Sequence, residues 1–87
     1  MTPSAQEIED WIAARVGALT GAAREEIDVR APLTRHGLDS IAVVALASDL
    51  EKWLGYRFRA NPLEDHPTIE ALSRFLAQEV AKRGGPG

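Results

Sequence analysis

The sequence predicts an all-α fold, a small four-helix bundle of three long helices and one short one, with a long loop between helices one and two. Three segments carry apolar residues at spacings of three and four. Cap-capable residues stand at the starts of these segments, and glycines follow the first two. No stretch alternates apolar and polar residues convincingly enough for a strand, and no internal repeat is present, so helix-on-helix packing is the architecture left.

The first helix opens at Ser4-Ala5-Gln6-Glu7, a capping box in which the serine caps and the glutamate reaches back, with Pro3 just ahead. Ile8, Trp11, Ile12, Val16 and Leu19 then share one apolar face, Glu7, Glu9, Asp10 and Arg15 occupy much of the remainder, and Gly21 lies near the end. From Ala22 to Leu38 the periodicity is lost. Pro32 and Gly37 punctuate this stretch, while Ile27, Val29, Leu33 and Leu38 supply isolated apolar anchors. A long, pinned loop is expected there, with room for a short helical turn around Arg24 to Ile27. Loops of this length in compact domains tend to be functional.

The second helix runs from the Asp39-Ser40 pair to Leu54 and is closed by Gly55. Val43, Leu46, Ala47, Leu50 and Leu54 make a stripe that can face the core. Ile41, Val44 and Ser48 form another seam at helical spacing, which either widens the buried stripe or is left outside as a docking surface. Past Gly55, Tyr56 and Phe58 are expected to return to the core, and Asn61-Pro62-Leu63-Glu64-Asp65-His66 reads as a short helical turn opened by Asn61 with proline at its first position. Thr68 caps the last helix, whose apolar face is Ile69, Leu72, Phe75, Leu76 and Val80, and Lys82-Arg83 suit the negative end of its dipole. Residues 1–83 are expected to form the domain, and 84–87, Gly-Gly-Pro-Gly, a flexible tail or linker. Trp11 and Trp53 occupy core-compatible positions, so aromatic packing is expected of both.

Composition narrows the function. A chain of 87 residues is one small domain, able to bury a modest core but ill suited to enclosing a deep catalytic cavity. Cysteine is absent, which excludes disulfides, thiolate nucleophiles and cysteine-based zinc sites; any thiol chemistry must arrive on an added group. The 10 Lys and Arg against 13 Asp and Glu give a net charge of −3, and the cations are dispersed, which argues against nucleic acid and for basic partner surfaces. No stretch approaches the roughly 20 apolar residues of a membrane span. The N-terminus lacks a basic segment followed by an apolar one, so a cytoplasmic location without membrane attachment is expected. His36 and His66 are the only imidazoles and lie apart in sequence; no metal site is expected.

The sharpest local feature is Gly37-Leu38-Asp39-Ser40, which places a hydroxyl at the start of an apolar helix directly after a turn. A serine there is most often a cap. A helix uses one side chain at its N-cap, however, and if Asp39 takes that place the Ser40 hydroxyl is free. The first-turn N–H groups and the positive helix end then favour a phosphate attached at that oxygen. Ser40, His36 and Asp39 also name the parts of a miniature hydrolase. The spacing is poor for a triad, and no Gly-x-Ser-x-Gly elbow or oxyanion hole accompanies them. A third reading is a helical interaction module using the Ile41/Val44 seam, with Ser40 merely capping.

Two segments decide among these readings. Ala31-Pro32-Leu33-Thr34-Arg35-His36-Gly37-Leu38-Asp39-Ser40-Ile41 resembles the attachment-site signature of acyl carrier proteins and of the acyl carrier domains of polyketide synthases. Glu64-Asp65-His66-Pro67-Thr68-Ile69-Glu70-Ala71-Leu72 is similar to the lead-in to the final helix of polyketide carriers, with His66 where Tyr is frequent. The resemblance covers nearly the whole chain. It implies a non-catalytic carrier on which Ser40 receives 4′-phosphopantetheine from coenzyme A, through a magnesium-using phosphopantetheinyl transferase. Acyl or polyketide intermediates would ride on the arm as thioesters and be presented to a ketosynthase, an acyltransferase or an acyl-activating ligase.

By the same resemblance Asp39 aids recognition during transfer, Leu38, Ile41, Val44 and Ser48 fall at partner-contacting positions, and the carrier is a monomer. The second helix departs from the strongly acidic one of bacterial fatty acid carriers, having only Asp49 and Glu51 offset by Lys52, so charge alone is not expected to select partners. Leu38 stands where peptidyl carriers of nonribosomal synthetases tend to have a second glycine, which favours acyl over peptidyl or aryl cargo.

Overall fold

Residues 3–55, 57–58 and 62–83 are described by a computed structural model. The expectations placed on Tyr56, Asn61, the Arg83 side chain and Gly84 to Gly87 lie outside the described residues. Three long helices, α1 (Ala5–Thr20), α2 (Ser40–Leu54) and α4 (Ile69–Arg83), and the short α3 (Pro62–Asp65) make the bundle, and no named strand occurs among the described residues.

The local chemistry explains each boundary. Ser4 Oγ accepts the Glu7 N–H at 3.1 Å and Glu7 Oε1 accepts the Ser4 N–H at 3.2 Å, so two orphan donors of α1 are satisfied reciprocally. Gly21 stops α1 in the left-handed region at φ 78, its N–H donating to the Gly17 carbonyl at 2.7 Å. Thr68 Oγ1 accepts the Ala71 N–H at 3.1 Å at the start of α4.

The core follows the predicted stripes. Ile8, Ile12 and Val16 of α1, Leu46 and Leu50 of α2, and Ile69, Leu72 and Leu76 of α4 are fully buried, each such side chain stabilising the fold by about 1.5–3 kcal/mol relative to exposure. Val43, Ala47, Leu54, Phe58 and Phe75 pack half-buried around them. The one buried polar side chain among the described residues, Ser73, donates to the Ile69 carbonyl at 2.6 Å, so its hydroxyl is satisfied within its own helix.

One expectation on α1 needs correction. Leu19, placed on the apolar face of α1, is 43% exposed. Trp11 and Trp53 show the expected aromatic packing: they stack on each other across α1 and α2 with ring centroids 4.9 Å apart and planes 7° from parallel, Trp11 half-buried against the core and Trp53 40% exposed. The Arg15 guanidinium lies 5.3 Å from the Trp11 ring and its Nε 3.3 Å from Asp49 Oδ2, completing a surface clamp between the two helices.

The segment between α1 and α2 is more ordered than a bare loop. It contains two 3₁₀ turns, Arg24–Glu26 and Leu33–His36, and buries Ile27, Leu33 and Leu38. It is also tied to α4. The Leu33 N–H donates to the Pro67 carbonyl at 2.8 Å, the Glu70 N–H to the Val29 carbonyl at 2.9 Å, and Arg30 pairs with Glu70 at 3.5 Å. Backbone groups that a buried loop would otherwise leave unpaired are thereby satisfied.

Candidate functional site

The approach to Ser40 is built by three neighbouring residues with different tasks. Gly37 takes φ 82, a conformation that carries a Cβ only with strain, and closes the preceding 3₁₀ turn with its N–H on the Thr34 carbonyl at 3.2 Å. Leu38 then plunges into the core at 6% exposure, which pins the chain where it enters α2. Asp39 is extended at φ −89, ψ 179; its Oδ1 accepts the Ala42 N–H at 2.8 Å and its carbonyl accepts the Val43 N–H at 2.9 Å. That is an N-cap, and it uses the aspartate.

Ser40 is therefore the first helical residue, exposed, with no hydrogen-bonding partner for its hydroxyl among the described residues. The outward surface of α2 continues from it: Ile41 is 81% and Val44 62% exposed, with half-buried Ser48 following. Of the two alternatives for this seam, widened core or outside face, the structure shows the outside face. Leu38, read from the sequence as a loop anchor and by resemblance as a partner-contacting position, packs in the core as an anchor.

The residues of a serine–histidine–aspartate arrangement are not brought together. His36 Nε2 is engaged with the Asp28 carbonyl at 3.1 Å, and the Asp39 carboxylate is held by the α2 backbone. His66 stacks on Phe75, with centroids 4.3 Å apart and planes 19° from parallel. No group of three His, Asp or Glu side chains suited to a metal ion occurs among the described residues, and no helix there is long and apolar enough to cross a membrane.

An exposed, unengaged hydroxyl on the first turn of a helix, whose Ser40 and Ile41 N–H groups have no acceptor among the described residues, suits an oxygen esterified to phosphate. Sequence reasoning singled out Ser40 but missed two features around it. One is the Leu33–His36 turn, which Pro32 before it and Gly37 after it signal as a start and a stop. The other is a hollow of about 410 Å³ at the far end of α2, lined by Ser48, Glu51, Lys52, Gly55, Arg57 and Phe58. Two of its lining residues are joined by the Phe58 N–H donating to Glu51 Oε2 at 2.6 Å, a contact that no spacing encodes.

Comparison with known proteins agrees with this geometry. The family model described as "Phosphopantetheine attachment site" matches residues 10–76. The chain is 33% identical over 76 residues to the acyl carrier protein TtuC of Teredinibacter turnerae, covering 87% of each. It is 29% identical over 75 residues to a phenolphthiocerol/phthiocerol polyketide synthase polypeptide of Mycobacterium tuberculosis, of which it spans only 4%. Among solved structures, a free-standing peptidyl carrier protein of Acinetobacter baumannii superposes with a TM-score of 0.82 at 30% identity, over 88% of this chain and 96% of that one. A match over 87% of an acyl carrier protein and a domain-sized match to a far longer synthase fall on the same segment as the family model, and the chain belongs to the phosphopantetheine-binding carrier family.

Proposed function

We propose that this protein carries acyl or polyketide intermediates as thioesters on a 4′-phosphopantetheine arm joined to Ser40 Oγ, and that it presents them to the enzymes of a polyketide-type pathway. The observation that carries the reading is the division of labour at the start of α2: Asp39 caps the helix, so the neighbouring hydroxyl is unengaged and accessible. The arm, once attached, supplies the thiol that a chain without cysteine lacks. The protein's own part is to expose Ser40 Oγ, to favour the phosphodiester charge through the helix start, and to offer Ile41, Val44 and Ser48 as a surface for the transferase and for acyl-handling partners. Asp39 adds an exposed carboxylate beside the hydroxyl, placed to contribute to transferase recognition. Peptidyl cargo is a second reading, favoured by the likeness to a free-standing peptidyl carrier.

Incubation with coenzyme A, magnesium and a broad-specificity phosphopantetheinyl transferase tests the assignment by intact mass. One added arm is expected on the wild-type chain and none on Ser40→Ala, whose circular dichroism should stay helical. An unmodified wild-type chain would refute the carrier reading, and equal labelling of the variant would move the site elsewhere. Competitive loading from acyl- and aminoacyl-pantetheine donors by candidate partner enzymes then separates acyl from peptidyl cargo.

A further inference from the structure

The net charge of −3 points to basic partners, but the distribution of charge over α2 points the other way. Every carboxylate of α2 and its cap is engaged internally. Asp39 Oδ1 accepts the Ala42 N–H, Asp49 Oδ2 lies 3.3 Å from Arg15 Nε, and Glu51 Oε2 accepts the Phe58 N–H at 2.6 Å. The two cations at the far end of the helix, Lys52 and Arg57, are both exposed and have no ion-pair partner among the described residues.

The helical repeat puts Lys52 on the same outward face as Ile41, Val44 and Ser48, about 16 Å along the axis from Ile41. Lys52 and Arg57 also line one hollow of about 410 Å³, which adjoins this face through Ser48. Glu64 of α3, without an ion-pair partner among the described residues, borders a different, mainly apolar hollow of about 150 Å³ with Val43 and Leu63. The outward face of α2 thus has an apolar head beside Ser40 and a cationic foot at Lys52 and Arg57.

We infer that this face docks a protein partner whose contact surface is apolar opposite Ile41 and Val44 and carries carboxylates opposite Lys52 and Arg57. The cationic foot sets the direction in which the partner lies along α2, because reversing it would bring the carboxylates to Asp39 and leave both cations unmatched. The inference rests on the carrier reading for its location, since the same face begins at Ser40. It differs from the sequence-based expectation of basic partner surfaces, which counted carboxylates without their internal partners.

Two amphipathic helical peptides with the same leucine stripe, one ending in a glutamate cluster and the other in a lysine cluster, provide the probes. They are titrated into the isotope-labelled chain and followed by amide chemical shifts, while transferase loading of Ser40 is read by mass on the same preparations. The glutamate peptide is expected to bind about three- to tenfold more tightly at low salt, as two surface ion pairs allow. Its shifts should fall on Ile41, Val44, Ser48, Lys52 and Arg57. The preference should vanish in Lys52→Gln/Arg57→Gln and at about 0.5 M salt, where exposed charges are screened, and it should reverse in Lys52→Glu/Arg57→Glu.

Equal affinities, a tighter lysine peptide or shifts confined to other surfaces would overturn the inference. Normal loading without the preference overturns the cationic foot and leaves the carrier reading intact. The preference without loading overturns the carrier reading and leaves the foot as a protein-binding surface.

Discussion

The two faces of α2 are made from the same aliphatic residue types and meet opposite fates. Leu46 and Leu50 are fully buried in the common core, whereas Ile41 and Val44, on the same helix, are 81% and 62% exposed. A core stripe holds a bundle together; an apolar stripe left in water beside an unengaged hydroxyl is surface kept available for something else. The contrast separates residues that stabilise the fold from residues that, on the proposed function, partner enzymes touch.

The largest expected effect lies on the inward face. Leu50→Ala removes a fully buried side chain from a close-packed core and should destabilise the protein by about 2–5 kcal/mol, read as a lowered urea midpoint at unchanged slope. That is a large part of the total stability of a domain this small, roughly 5–15 kcal/mol. A loss below about 1 kcal/mol would mean that the inward face is looser than its burial indicates.

The next effect lies where the two faces meet, at the cap. Asp39→Ala should cost about 1 kcal/mol through the lost bond to the Ala42 N–H. Asp39→Asn keeps an oxygen acceptor and should recover most of that stability in thermal melts. The pair also separates capping from recognition. If the Asp39 charge assists the transferase, loading stays slow in the asparagine variant even though stability returns; restored loading would leave Asp39 with capping alone.

Local cues were legible in the sequence because they act over a few residues. The Ser4–Glu7 box and the inward anchors Ile27 and Leu33 follow from side-chain chemistry and short spacing, whereas the Asp39-Ser40 pair leaves the cap open, because both side chains can take it, until Asp39 is placed on the Ala42 N–H. Depth was not legible. Periodicity assigns Leu19 and Trp53 to a face but cannot say whether another element covers that face, and both end on the surface, Trp53 paired to Trp11. The tie between the loop and α4, through Leu33 to Pro67 and Glu70 to Val29, joins residues more than thirty positions apart, which no local pattern records. The same holds for α2's engaged carboxylates: Asp49 and Glu51 count as free charges until Arg15 and the Phe58 N–H are placed beside them.

The smallest effect on stability is expected on the outward face, and it tests the contrast most sharply. Val44→Gln replaces a side chain that is already 62% exposed, so the urea midpoint should move by no more than the equivalent of about 0.5 kcal/mol, far less than for Leu50→Ala. At 62% exposure the position is largely in water, which solvates the new amide's polar atoms. A binding partner, by contrast, would have to desolvate the new amide without a matched acceptor or donor. Transferase loading measured as kcat/KM, and acylation by a partner enzyme, should therefore fall while folding does not. Unchanged folding with unchanged loading and acylation would show that partners avoid this face; a drop in stability comparable to that of Leu50→Ala would show that Val44 belongs to the core and would remove the distinction between the two sides of α2.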